Sequence, residues 1–131
     1  MTSNELRIGN LVYVPSGIKK FVCGTTYKNI FYTSNLQNST YGQAYDYECN
    51  PIPLTEEWLL DLGFTTIEIT EETEETEAVI FDFKFSFINK TGTEVWFLSY
   101  NGELFKELKY VHELQNLYFA LTGKELEIEK L

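Results

Sequence analysis

The run from Val79 to Phe87 most constrains what this chain can become. Val79, Phe81, Phe83, Phe85 and Phe87 alternate with Ile80, Asp82, Lys84 and Ser86, a period of two that fits a β-strand and no helix. Each phenylalanine gains about 1.5–3 kcal/mol from full burial, so the ladder they form needs neighbouring strands and a cover. The C-terminal segment offers one. Val111, Leu114, Leu117, Tyr118 and Leu121 recur at three- and four-residue steps and make a single apolar helical stripe. Thr122-Gly123 closes that helix, because glycine accepts the left-handed conformation of a C-cap. The helix is expected to lie over the phenylalanine ladder, with Leu126 and Ile128 adding an edge strand.

The rest of the second half reads as a meander. Glu94 to Tyr100 and Glu103 to Lys109 flank Asn101-Gly102, whose tolerance of positive φ suits a tight hairpin turn. In the simplest register Trp96, Leu98 and Tyr100 share a face with Phe105, while Val95 and Phe97 lie opposite Leu104 and Leu108. Upstream, Pro51-Ile52-Pro53 enforces an extended lead-in. Thr55 then caps a short helix with Glu56-Glu57 in its first turn, and Gly63 ends it. Trp58, Leu59 and Leu62 form its buried face. The first fifty residues hold three strand signals, Arg7 to Val14, Ile18 to Thr26 and Asn29 to Ser34, with a tight turn near Lys28-Asn29. Leu36 to Asn50 is polar and reads as a loop with room for a short strand near Tyr45 to Cys49. The expected class is α+β, with antiparallel sheets (a small curled N-terminal one and a C-terminal meander), one short middle helix and one C-terminal helix. At 131 residues a single domain is expected, with a β subregion over 1–50 and helix, meander and helix over 51–131.

Three segments carry a resemblance: ELRIGNLVYV near the N-terminus, PIPLTEEWLLDLGF from Pro51 to Phe64, and YVHELQNLYFALTGKELEI from Tyr110 to Ile128. In wording and order they resemble a group of small uncharacterised proteins carried by phages and prophages of Bacteroidetes-type bacteria. The resemblance covers about a third of the chain. It implies a genomic neighbourhood and no biochemical activity.

Charge and composition exclude several classes. The chain has 20 acidic and 10 basic residues, a net charge of −10, and Lys19-Lys20 is its one adjacent basic pair. A duplex-binding protein needs a basic face that neutralises phosphates, so nonspecific nucleic-acid binding is not expected. Glu68, Glu71, Glu72, Glu74, Glu75 and Glu77 fall within ten residues, interleaved with threonines. This run reads as a solvated, mobile connection between two strands; the alternative is an acidic surface for a basic protein or a mimic of DNA phosphates. No apolar run reaches the ~20 residues that span a bilayer. MTSNELRIGN lacks a basic and then apolar leader pattern, so no membrane contact and the cytoplasm of a bacterial host cell are expected. Cys23 and Cys49 are then two free, largely buried thiols, and Asn38-Ser39-Thr40 and Asn89-Lys90-Thr91 are not glycosylated.

Motifs for catalysis are missing. His112 is the one histidine, and in the first turn of a helix it reads as a satisfied or half-exposed residue. There is no nucleophile elbow, zinc motif or phosphate-cradling glycine loop. An enzyme would have to draw on Glu57, Asp61, Asp82 or His112 without a signature, so no catalytic residue, metal or cofactor is assigned. Aromatics are the richer inventory, with nine tyrosines, ten phenylalanines and two tryptophans. Tyr27, Tyr32, Tyr41, Tyr45, Tyr47 and Tyr100 lie in or near loops and strand ends. Tyrosine brings rigid area with a polar tip and is favoured at binding surfaces. Tyr41, Tyr45 and Tyr47 crowd a polar segment that gives them no core role, which makes them the candidate binding residues. The expected function is a non-enzymatic interaction protein whose partner is a host protein, a phage protein or a second copy. A small-ligand binder that sequesters nucleotide signals is the alternative, and it needs a local basic pocket from Arg7, Lys19, Lys20 or Lys28.

Overall fold

The computed structural model describes residues 1–37, 40–70, 75–79, 85–90, 95–100, 103–126 and 128; at 65–70, 75–79, 85–86, 88–90 and 103–105 the description is of the backbone. The class is α+β, as expected, with two antiparallel sheets and two α-helices. The chain divides into two compact units, which are described separately. Among the described residues the first comprises Met1–Ile52 with Tyr110–Glu125, and the second comprises Pro53–Lys109 with Leu126 and Ile128.

In the first unit β1 (Leu11–Tyr13), β2 (Lys19–Thr26), β3 (Asn29–Thr33) and β4 (Gly42–Tyr45) form an up-and-down sheet in chain order. Thr26 pairs with Asn29, so the β2–β3 turn consists of Tyr27 and Lys28. Lys28 takes the positive φ (71°) that such a tight turn asks of one central residue. Gly24 and not Cys23 pairs with Phe31, which leaves Cys23 as the extra residue of a bulge. Leu6, Val12, Val14, Val22, Ile30, Ala44 and Cys49 are buried together as one core, with Met1 and Tyr32 packed against it. The segment Leu36 to Asn50, expected to be a loop, holds the four-residue strand β4. β4 begins before the anticipated Tyr45–Cys49 position, and a 3₁₀ turn, Asp46–Glu48, occupies that stretch.

Helix α2 (Val111–Thr122) ends at Gly123, whose φ of 73° is the left-handed cap, and Gly123 N donates to Phe119 O at 2.8 Å. The phenylalanine ladder it was expected to cover belongs to the second unit, and Phe81 and Phe83 of that ladder lie outside the described residues. The contacts the structure gives α2 are with β1, an edge strand of the first sheet. Gln115 makes the attachment. Its Oε1 accepts from Leu11 N at 2.9 Å, and its Nε2 donates to Gly9 O at 3.0 Å. One carboxamide thus offers the acceptor and donor that a neighbouring strand would offer. Asn10 Nδ2 donates to Asn116 Oδ1, and Asn116 Nδ2 donates to Glu5 O. Farther along β1, Tyr13 and Asn50 exchange backbone hydrogen bonds of 2.9 Å. The outer edge of β1 thus has partners at Leu11 N and at both backbone groups of Tyr13. Accordingly the buried side of α2 is Val111, His112, Leu114 and Gln115, whereas Leu117, Tyr118 and Leu121 of the expected stripe are half-buried.

In the second unit Thr55 Oγ1 accepts from Trp58 N at 3.2 Å and starts α1 (Glu56–Asp61), as the sequence indicates. Leu59 and Leu62 are buried and Trp58 is half-buried. A five-stranded meander follows: β5 (Thr65–Thr70), β6 (Glu75–Val79), β7 (Phe85–Lys90), β8 (Trp96–Tyr100) and β9 (Glu103–Leu108). Phe87 is fully buried and lies 5.1 Å from the Phe64 ring. Phe81 and Phe83 of the ladder lie outside the described residues. The Trp96 indole donates to Leu54 O at 3.1 Å, so a large buried ring keeps its polar atom satisfied.

Three expectations change in this unit. The flanks of the acidic run lie in strands, since Glu68 pairs with Glu77 and Thr70 with Glu75 inside the β5–β6 ladder. The threonines and Ile69 favour strands, and β6 continues into β7, where Glu75 meets Lys90. Residues 71–74, the remaining connection, lie outside the described set. The β8–β9 register also differs. Trp96 pairs with Leu108 and Leu98 with Lys106, and then a bulge shifts Ser99 onto Leu104, so Phe105 no longer shares the register of Trp96 and Leu98. Leu126 and Ile128, finally, belong to no strand.

Candidate binding surface

The three candidate tyrosines are all exposed, at 64% for Tyr41, 51% for Tyr45 and 74% for Tyr47. They do not form one cluster. Tyr41 precedes β4 and meets the edge of Phe31, with ring centroids 5.8 Å apart and planes at 71°. Tyr45 ends β4, and Tyr47 sits in the 3₁₀ turn that follows. That turn brings their rings parallel, 5.3 Å apart with planes 7° from one another. β4 separates Tyr41 from Tyr45 by four residues, roughly 13 Å at about 3.3 Å per residue. Tyr27, at the β2–β3 turn, is the most exposed large hydrophobic among the described residues, at 86%.

Ladder geometry places these groups. Phe31 pairs with Gln43 and Asn29 with Tyr45, so these four side chains share one face, and Gln43 Nε2 donates to Asn29 Oδ1 at 3.1 Å. Ala44 and Ile30 face the other way, into the core. Gly42 is required by close approach, because a Cβ there would lie 2.5 Å from the Tyr32 ring. Two carboxylates flank the stacked tyrosines. Asp46 Oδ2 accepts from Ser3 N at 3.3 Å, and Glu48 Oε1 accepts from Tyr45 N at 2.9 Å. Neither is ion-paired among the described residues, where the one salt bridge joins Arg7 to Glu125. Behind the turn, burial pushes the Cys49 thiol above its ordinary pKa, and Glu48 and Asp46 push the same way.

Two open clefts border this face. One, of about 290 Å³, is lined by Lys20, Tyr32, Ser34, Thr40, Tyr41 and Gly42; Lys20 there bonds the Ser34 hydroxyl. The other, of about 540 Å³, involves Ser3, Thr25, Thr26, Tyr27, Lys28 and Asp46. The basic residues singled out earlier do not converge. Arg7 lies 4.2 Å from the Phe119 ring centroid and pairs with Glu125. Lys20 and Lys28 line different clefts, and Lys28 Nζ lies 5.2 Å from the Tyr27 ring centroid.

The candidates for catalysis are dispersed. His112 is neither satisfied nor half-exposed: it is 3% exposed, stacked on Tyr110, and its Nδ1 has no hydrogen-bond partner. Burial holds its pKa below the usual histidine value, against a smaller upward pull from Glu113 and Glu5. Glu57 and Asp61 are exposed on α1, and Asp82 lies outside the described residues. No group of three or more potential metal ligands is gathered among the described residues. No helix among them is long and apolar enough to cross a membrane. No protein-family model, no curated protein and no solved structure matches the chain.

Sequence reasoning found the tyrosines because polar neighbours leave them no core. It missed Gln43, Asp46 and Glu48 as members of the same surface. The signal was available in Tyr45-Asp46-Tyr47-Glu48, where ring and carboxylate alternate.

Proposed function

We propose that this chain is a non-enzymatic accessory protein of a phage or other mobile element, acting in the cytoplasm of a bacterial host by binding another protein. The observation that carries the reading is the stacked, solvent-exposed pair Tyr45 and Tyr47 beside an exposed strand. Exposed aromatics held by their own fold lose little entropy on binding, and interface energy concentrates in such anchors. The wording of the three segments that resemble phage and prophage proteins supports the setting.

The test is a Tyr45→Ser/Tyr47→Ser double variant that melts like the parent. Affinity capture from phage-infected host cells with parent and variant should lose the parent's specific partner in the variant, with each anchor worth about 2 kcal/mol or more. An undiminished capture refutes this surface. A second reading, sequestration of a small nucleotide signal, is favoured by the cleft that sets Lys20 beside Tyr32 and Tyr41. It requires a metabolite retained by the parent and released by Lys20→Ala and Tyr41→Ser. Loss of a measured catalytic activity in His112→Ala, with binding intact, would turn the assignment to an enzyme.

A further inference from the structure

The two edges of the first sheet are treated differently. The β1 edge is occupied by Gln115 and Asn50. β4 is the other edge strand, and its outer groups can be located. Asp46 N donates to Lys28 O at 2.9 Å. Antiparallel ladders alternate inward- and outward-pointing residues, so Ala44 and Gly42 also bond to β3, and the N–H and C=O of Gln43 and Tyr45 point outward. Glu48 takes the Tyr45 N–H, which confirms that direction. The Tyr45 C=O opens the 3₁₀ turn, so the N–H and C=O of Gln43 remain at the edge, with no cover among the described residues.

Next to that edge stand two parallel rings and two carboxylates without ion pairs. Ring faces and carboxylates together suit a cation, which gains from the ring quadrupole and from charge pairing. From this geometry we infer that β4 takes up an extended, basic segment of a partner protein as a fifth strand, with an Arg or Lys side chain seated over Tyr45 and Tyr47 and paired to Asp46 or Glu48. Backbone bonds to Gln43 supply docking, and the side-chain corner supplies selectivity. A second copy of this chain is the weaker occupant. Each copy carries a net charge of −10, and self-pairing would add like charge to like. The inference rests on the tyrosine surface proposed above and specifies how that surface is used.

The experiment is an amide-resolved NMR titration of the full chain with three acetylated, amidated octapeptides that alternate Val with Arg, Gln or Glu. The Arg peptide should shift the Gln43 and Tyr45 amides and slow exchange at Gln43 N–H. Its affinity should fall about tenfold on raising salt and on Asp46→Asn, as charge pairing requires. N-methylation of the peptide's alternate backbone nitrogens should abolish binding. Gln43→Pro should abolish it from the other side, and the methylated peptide keeps the test decisive if that variant misfolds. Equal binding of the methylated peptide, with shifts at Tyr45 and Tyr47 and none in Gln43 exchange, overturns strand addition while leaving the tyrosine surface standing. Equal binding of all three peptides overturns the basic partner. Absence of any shift at Tyr41, Tyr45 or Tyr47 overturns the surface as well. Protection of Gln43 without peptide, together with a dimer in sedimentation equilibrium, assigns the edge to a second copy and overturns the inference.

Discussion

Replacing Gln115 by leucine tests whether one polar side chain holds α2 to the first sheet. Gln115 is 2% exposed and Leu11 is fully buried, so the Leu11 N–H has no route to water once its acceptor goes. An unsatisfied buried donor costs about 1–3 kcal/mol. The Gly9 carbonyl is half-buried and loses a bond it can partly replace with water, about 0.5–1 kcal/mol. Leucine nearly conserves volume, so little is added for a cavity. The sum, about 2–4 kcal/mol, amounts to a drop of roughly 6–15 °C in melting temperature for a chain of this size. Thermal and urea unfolding followed by far-UV circular dichroism measures that drop. Amide exchange locates it, since Leu11 should lose protection while Tyr13, paired with Asn50, keeps most of its own. The variant also bares part of the β1 edge, so it should aggregate at lower concentration than the parent. A Gln115→Leu protein that melts within about 2 °C of the parent, with the Leu11 amide still protected, would refute the strand-mimic reading and return α2 to ordinary apolar packing.

Two other outcomes are expected. His112 has its pKa depressed below the ordinary 6.5 by burial. The unfolded chain therefore binds the proton first on acidification, and the stability present above 6.5 drains away as pH falls through the window between 6.5 and the lower folded value. Urea midpoints taken from about pH 7.5 to 5.5 should decline for the parent and be flatter for His112→Leu; parallel slopes would dismiss the histidine as the cause. At Gly42 a methyl group would lie 2.5 Å from the Tyr32 ring, so Gly42→Ala should lose about 1–3 kcal/mol. Tyr32→Leu added to it should recover part of that loss, and strictly additive losses in the double variant would mean that the ring is not the obstacle.

Local punctuation was legible in the chain. Thr55, Gly63 and Gly123 each act through their own backbone or the next turn and stand where their chemistry places them, while the turn expected near Lys28-Asn29 falls one residue earlier, at Tyr27-Lys28. Destinations were not legible. An apolar stripe says that α2 must be covered without saying by what, and the residue that decides is Gln115, whose polarity reads as solvent-facing. Strand registers failed for a similar reason, because a bulge at Leu98/Ser99 moves every later pair and leaves no mark in hydrophobic alternation. The flanks of the acidic run, Glu68 and Glu75 to Glu77, misled because charge density outweighs strand propensity in sequence reasoning, whereas β6 is flanked by a strand on each side. For the candidate surface, exposure of Tyr41, Tyr45 and Tyr47 followed from their polar neighbours. The stacking of Tyr45 on Tyr47 needed the 3₁₀ turn at Asp46–Glu48, and the separation of Tyr41 from them needed β4.

The division of the chain into two units also sorts its chromophores. Trp58 and Trp96 both belong to Pro53–Lys109, and every tyrosine except Tyr100 belongs to the other unit. Selective tryptophan excitation therefore reads the unit that holds the meander, and near-ultraviolet tyrosine bands read chiefly the unit that holds the stacked tyrosines. A titration that leaves tryptophan emission unchanged and moves those bands would locate an event in the first unit without any label.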